Sequence, residues 1–370
     1  MTKIFCVEML PAREGDCLWI EYGDSDRPNR ILIDGGREGT YTTLKQRFAT
    51  LPADQREFEL LIVTHIDADH IGGVLKMISG RVLPVRFKDV WFNGYHHLPK
   101  PPLVSRSVPQ AEEFTEQLIQ KGLPWNQAFE GKAVVVPDDS FRSIAGFFSK
   151  ASSLPAKSLA GGMRLTLLSP DVSALRELRR KWDKALENAG LGKALKPDEM
   201  VPKGLRRREP AKLNPDTVHE FAETRFEGDT SAANGSSIAV LAEFEGKSAL
   251  LTGDAHVDVL TSSIQRLGNK PLILDAMKLS HHGSKGTHSK QLHELVQAEN
   301  YLISTDGSRY GHPDPEALAR TVVFGGDETK LLFNYRSKFN KAWDGRNLKA
   351  RFRYQTAYPS GRNGQTWTAF

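Results

Sequence analysis

The ten residues THIDADHIGG, positions 64 to 73, hold four potential metal ligands within six positions: His65, Asp67, Asp69 and His70. An apolar run, Leu60 to Val63, leads into them, and a Gly-Gly pair follows. Imidazole and carboxylate together suit Zn²⁺, Mn²⁺ or Fe²⁺. In a tight loop alternate residues face one side, so His65, Asp67 and Asp69 can converge while His70 reaches a second centre. Closely spaced buried carboxylates raise one another's pKa unless a cation sits between them. Further polar residues stand where other apolar runs stop: Asp34 in ILIDGG, Asp254 in LLTGDA, His281 and His282 in KLSHHGS, and His312 in RYGHPDP. Strand ends along one sheet edge are a common place to assemble a site. Asp34 alone reads as a structural turn residue. His96, His97, His256 and His288 lack this setting and read as surface or loop histidines.

The elements that must carry these residues can be read from periodicity. KIFCVEML, CLWIEYG and NRILIDGG are short β runs separated by turn residues, and TYTTLKQRFATL is helical in pattern. Residues 59 to 64 form a strand that delivers the motif, and IGGVLKMISG opens a helix with His70 near its start. Residues 82 to 94 and 131 to 148 read as β runs, 110 to 122 as a helix, and 163 to 170 as a strand. Residues 237 to 254 read as a hairpin around EGK, followed by a helix and by strands ending at HHGS and in the His312 loop. The last 40 residues, alternating basic and aromatic, read as strands. The spacing implies one domain over 1–370 with a polar insert at about 171–233, helical near 173 to 189, and a C-terminal extension from about 331.

The chain has 370 residues and a formal charge of +5, which permits an acidic partner without requiring one. No apolar run reaches the roughly 18 to 20 residues a membrane span needs, and two cysteines imply no disulfide framework. The N-terminus lacks a signal-peptide pattern, so a cytoplasmic location and no membrane partner are expected.

THIDADHIGG resembles the THxHxDHxGG motif of the metallo-β-lactamase superfamily, with Asp67 in place of the second histidine. That variant, with EGD (14–16), ILIDGG, LLSP (167–170), NGSSIAVL (234–241), LLTGDA, KLSHHGS and RYGHPDP in order, looks like the branch related to the hydrolase domain of ComEC/Rec2 DNA-uptake proteins. The resemblance implies an α/β fold, a four-layer αββα sandwich with the metal site at one edge of two sheets. It implies two divalent cations, Zn or Mn. His65 and Asp67 would hold one, Asp69 and His70 the second, and Asp254 both. One of His281 and His282 would complete the second site, here His281, with His282 facing substrate. His312 would protonate a leaving oxygen or bind phosphate. Relatives carry a ligand histidine where this chain has TSAANGSS; Asn234 is the nearest candidate, a weak ligand that implies a first site poorly filled, oxygen-rich or tuned to Mn²⁺ rather than Zn²⁺.

The activity implied is phosphodiester hydrolysis, with DNA or another nucleic acid as substrate and a metal-bridging hydroxide as nucleophile. Asp69, His282 and His312 are the catalytic candidates. Two basic stretches, 176–212 and the aromatic-rich tail, suit nucleic acid, and the insert suits a protein partner. Hydrolysis of small esters, lactones, thioesters or phosphocholine esters is the alternative, because the fold hosts all of them. A partner-dependent binding module with a residual metal site is the third reading.

Overall fold

The computed structural model describes residues 2–99, 109–137, 153–190, 209–268, 271–361 and 363–370. Sixteen strands occur among them. The N-terminal part supplies β1 (Lys3–Met9), β2 (Leu18–Asp24), β3 (Asn29–Ile33), β4 (Glu57–Phe58), β5 (Leu60–Ile62), β6 (Arg86–Phe87) and β7 (Val90–Trp91). The rest supplies β8 (Ala156–Ser158), β9 (Arg164–Ser169), β10 (Ala239–Phe244), β11 (Lys247–Leu251), β12 (Leu272–Lys278), β13 (Val296–Ile303), β14 (Lys330–Phe333), β15 (Gln355–Ala357) and β16 (Gln365–Thr368). They form a six-stranded sheet, β16-β1-β2-β3-β5-β7, and an eight-stranded sheet, β15-β14-β13-β12-β11-β10-β9-β8; β4 and β6 pair separately.

Alternation along the strands accounts for the layering. In β3, Ile31 and Ile33 join the large core shared with the second sheet, while Leu32 joins a second core under the outer helices. In β5, Leu60 and Ile62 face inward and Leu61 outward; in β2, Ile20 and Trp19 divide the same way. A strand apolar on both faces must be covered on both. Helix Ala68–Ile78 provides part of the outer cover: Ile71, Val74, Leu75 and Ile78 recur at helical spacing and are all buried. Helices Tyr41–Ala49 and Pro109–Gln120 contribute Leu44, Phe48, Phe114 and Leu118 to the same core. Beside the second sheet, helices Val257–Arg266 and Pro315–Phe324 contribute Leu260, Ile264, Leu318 and Val322 to the large core. The arrangement is the four-layer αββα sandwich.

Two readings from sequence change. Residues 341–344 and 346–352 are helical, not strand, because Leu348 and Phe352, four apart, both turn toward the large core. The tail nevertheless completes both sheets: β15 pairs with β14, and β16 pairs with β1. Residues 131–137 carry an isolated bridge at Val136 but no strand; residues 138–150 lie outside the described set. The insert opens with helix Val172–Gly190, which seats Leu175, Leu178 and Trp182 in the core of the first sheet.

Strands β3 and β5 run parallel in one sheet, and β11, β12 and β13 run parallel in the other. Their C-terminal ends meet at one edge of the sandwich, where Ile238 N–H donates to the Thr64 carbonyl (2.9 Å) and His281 N–H to that of Gly253 (3.1 Å).

Candidate metal centre

Asp254 is the hub. Its Oδ2 lies 3.9 Å from His65 Nε2, 3.4 Å from His70 Nε2, 3.9 Å from His281 Nε2 and 3.7 Å from His282 Nε2. Each ring is held from behind through Nδ1. His70 Nδ1 meets the Asp34 carboxylate at 2.8 Å, His281 Nδ1 meets that of Asp229 at 2.9 Å, and His282 Nδ1 meets the Ser304 carbonyl at 3.0 Å. These partners only accept, so in the neutral rings the proton sits on Nδ1. His65 Nδ1 lies 3.0 Å from the Thr64 hydroxyl, whose own proton is donated to Asp34 (2.7 Å), and 3.0 Å from the Ser237 hydroxyl; with its proton on Nδ1 the ring donates to the Thr64 oxygen. All four imidazoles turn Nε2 toward one carboxylate, and with Nδ1 protonated each of these Nε2 atoms is bare.

Those of His65, His70 and His282, with Asp254 Oδ1, are buried with no hydrogen-bond partner. Buried polar atoms are rarely left so in a native fold. The 3.4–3.9 Å separations are mostly too wide for hydrogen bonds and match what a cation bound at about 2 Å to each atom would need. The residues thus fit divalent metal. Two close groups stand out: His65 with His70 and Asp254, and Asp69 with His70 and His282.

The motif supplies this geometry by local rules. Asp67 is the N-cap of helix Ala68–Ile78, yet its side chain makes no capping bond; its Oδ2 lies instead 3.7 Å from His65 Nε2. Asp69 and His70 occupy the first helical turn. The glycine pair admits the neighbouring loop. A Cβ at Gly73 would stand 2.0 Å from the Gly35 carbonyl oxygen, and one at Gly72 3.2 Å from Arg37 Cα. With no side chains there, the Asp34–Arg37 loop lies directly on the helix that carries Asp69, and Gly73 N–H donates to Gly36 O at 2.8 Å.

Strand alternation would let only one of the neighbours His281 and His282 face the metal, but it does not govern them. β12 ends at Lys278, and both histidines take left-handed backbone conformations, φ 47° and 56°. The turn sends both rings to Asp254. His282 also groups with Asp69 and His70, while His281 is the more exposed. Asn234 supplies an amide N–H rather than an oxygen: Nδ2 donates to Asp229 at 2.7 Å, bracing the carboxylate that holds His281. His312, on the loop after β13, is buried, with Nδ1 3.4 Å from Asp314 and its ring 5.4 Å from that of His281. His288 is fully buried and not a surface residue.

Three contributors went unassigned in the sequence. Asp16, within the EGD motif, pairs with the buried Lys278, and its Oδ1 lies 3.3 Å from His282 Nδ1. Lys278, in KLSHHGS, also lies 4.0 Å from Asp254 Oδ1. Asp229 sits 52 residues before the histidine it holds. Motif membership pointed to the first two; nothing local marks Asp229.

Charge in the centre is tightly balanced. Burial would disfavour a charged His70, but Asp254 and Asp34 push its pKa well above the usual imidazole value. Burial would raise Asp254, but His70, His282 and His281 hold its carboxyl well below the usual range. His281, despite burial, is pushed up to about 9 by Asp254 and Asp229. Without a cation these carboxylates favour protons on the bare nitrogens, so metal binding displaces protons.

No family model matches the chain. ComE operon protein 3 of Bacillus subtilis (strain 168) is 31% identical over 91 residues, which are 24% of this chain and 12% of that protein. The metallo-beta-lactamase fold protein YhfI of Bacillus subtilis aligns at 10% identity and a TM-score of 0.36, covering 100% of both chains. CmlA, a diiron beta-hydroxylase of Streptomyces venezuelae, aligns at 12% identity and a TM-score of 0.39, covering 99% of this chain and 54% of its own. Two facing sheets flanked by helices, with a buried histidine–aspartate centre at the C-terminal ends of their parallel strands, define a metallo-β-lactamase-fold protein. Within that fold, the local match to ComE operon protein 3 fits the ComEC-like branch that the ordered motifs resemble.

Proposed function

We propose that this protein is a metal-dependent phosphodiesterase acting on nucleic acid or nucleotides. The observation that carries the metal dependence is the set of four imidazoles locked through Nδ1 with bare Nε2 atoms around Asp254. His65, Asp67, Asp69, His70, Asp254, His281 and His282 would hold two divalent cations, zinc or manganese. Bound there, such cations polarise a phosphoryl oxygen and lower the pKa of water toward neutrality.

The chain's own groups prepare the site. Asp34, Asp229 and the Ser304 carbonyl fix ring orientation, which is what raises ligand precision and basicity. Asp16 and Lys278 neutralise each other behind the ligands. Burial lowers the His312 pKa, against the pull of Asp314, so at neutral pH the ring is uncharged. A neutral His312 acts as a hydrogen-bond donor to a substrate oxygen in preference to a ready acid.

The ComEC-like motifs favour phosphodiesters over thioesters and lactones. The test is a substrate panel. Purified protein loaded with Mn²⁺ or Zn²⁺ is given bis-p-nitrophenyl phosphate, single- and double-stranded DNA, RNA, and carboxylic esters and thioesters. Phosphodiester cleavage that disappears in Asp69→Ala is expected; turnover of carboxylic esters or thioesters alone overturns the reading.

A further inference from the structure

Several described residues of the two basic stretches are engaged within the chain. In helix Val172–Gly190, Arg179 is buried against Asp183 and stands over the Tyr95 ring at 4.6 Å, while Arg180 pairs with Glu177; residues 191–208 lie outside the described set. In the tail, Arg336 and Lys349 share Asp344, Arg336 also covers Tyr358, and Arg353 meets Glu328. Cationic and aromatic groups beside the metal centre itself are differently placed.

The loop that carries His312 brings Tyr310 one ring further out. The Tyr310 and His312 rings are 5.9 Å apart at 31°, and His312 is 5.4 Å from His281. The three rings form a ladder from the half-buried Tyr310 down to a ligand of the centre. The Arg309 guanidinium stands 5.5 Å from the Tyr310 centroid. The Tyr310 hydroxyl has no hydrogen-bond partner among the described residues.

Arg37 approaches from the other sheet, on the loop that the glycine pair seats against the Asp69 helix. Its Nε is held by Glu14, while its terminal nitrogens have no partner among the described residues. Glu14, which holds Arg37, precedes Gly15, where a Cβ would stand 2.0 Å from the Asp69 carbonyl oxygen, and Arg37 Cα lies 3.2 Å from where a Cβ of Gly72 would be. The arginine therefore sits beside the helix turn that carries Asp69, and the tyrosine beside His312 and His281.

Building on the phosphodiesterase reading, we propose that Tyr310, backed by Arg309, stacks an unpaired nucleobase next to the scissile phosphate, and that Arg37 holds an adjoining phosphate. A π-face accepts any base, which gives stacking without sequence preference. The guanidinium fork matches phosphate oxygens. Both groups lie beside the metal centre, so the substrate is an unpaired stretch or end of nucleic acid, or a nucleotide diester, and not a base-paired duplex.

Equilibrium binding tests this apart from turnover. Labelled phosphorothioate oligothymidylate and the matching abasic phosphorothioate strand are titrated, by fluorescence anisotropy, into metal-loaded protein. The wild type should prefer the base-bearing strand by about tenfold. Tyr310→Ala should erase that preference, Tyr310→Phe should keep it, and Arg37→Ala should weaken both strands alike, all with unchanged metal content. Equal binding of the two strands by the wild type, or a preference surviving in Tyr310→Ala, overturns the proposal. Hydrolysis of bis-p-nitrophenyl phosphate, which carries no base, is measured in parallel. If it persists while base preference is absent, the phosphodiesterase reading stands and only the stacking subsite fails.

Discussion

Two groups of histidines differ in kind, although His282 of one and His288 of the other are only six residues apart. In the first, His65, His70, His281 and His282 surround Asp254, and carboxylates brace two of them from behind. In the second, His288 and His293 are stacked with centroids 5.6 Å apart, and the charged side chains acting on them include Lys278 and Arg320. Each of these two rings also keeps a bare buried Nδ1, yet neither joins a metal-binding group among the described residues. Burial and cationic neighbours push His288 down to about 3, whereas carboxylates push His281 up to about 9. A bare buried nitrogen is thus insufficient for a metal site. Convergent carboxylates make the difference, by favouring positive charge where the second group opposes it.

Removing the shared carboxylate breaks the contrast most severely. Asp254→Ala takes away the one group that all four Nε2 atoms face, so metal content by elemental analysis should fall to trace and phosphodiester turnover to background. Near-stoichiometric metal in that variant would mean that the ring nitrogens assemble around something other than Asp254. The next largest effect is on stability. Lys278→Met leaves Asp16 buried without its cation, and breaking one side of a buried pair costs about 3–5 kcal/mol. Urea unfolding of the metal-free protein measures it; a loss well under 1 kcal/mol would show that the His282 side of Asp16 suffices. Asp34→Asn is milder. It keeps the shape and loses the charge behind His70, so metal affinity by chelator competition should drop roughly 10- to 100-fold, with the fold retained.

The contrast also separates what a linear reading reaches from what it misses. The metal-site candidates lie at strand ends, and their chemistry is carried by residue type and short spacing, so His65, Asp67, Asp69, His70 and Asp254 could be picked out singly. Layering was legible only through the resemblance; the structure accounts for it physically, since β2, β3 and β5 are apolar on both faces, which demands helices outside as well as a sheet inside. The orientation of His281 and His282 was not, since it depends on two left-handed residues after the strand that alternation cannot anticipate. Nor could Asp229 be found: its partner is 52 positions away and no motif encloses it. His288 read as a loop histidine because burial by Arg320 and by the helix that follows is a tertiary fact; Arg320 reaches the His288 carbonyl at 2.9 Å from 32 residues downstream. The tail's helix was hidden by its basic–aromatic alternation, which imitates an edge strand.

The smallest effect concerns the second histidine group and tests the contrast from its neutral side. His288 has a folded pKa of about 3, below the ordinary value of 6.5. Its unfolded form therefore binds the extra proton first as pH falls. The stability it contributes is complete above about pH 6.5 and is lost progressively as pH drops toward 3. His288→Phe removes that proton uptake while filling the same apolar space, at the expense of one hydrogen bond from Nε2 to the Ser280 carbonyl (3.1 Å), worth about 1 kcal/mol. The variant should be slightly less stable at pH 7.5, should lose less stability between pH 6.5 and 4.5 than the wild type, and should bind metal unchanged. Thermal melts of the metal-free proteins across that range, with elemental analysis at neutral pH, read all three. A steeper acid decline in the variant would mean that His288 is protonated in the fold, and a fall in bound metal would tie it to the centre; either result would erase the distinction between the two groups.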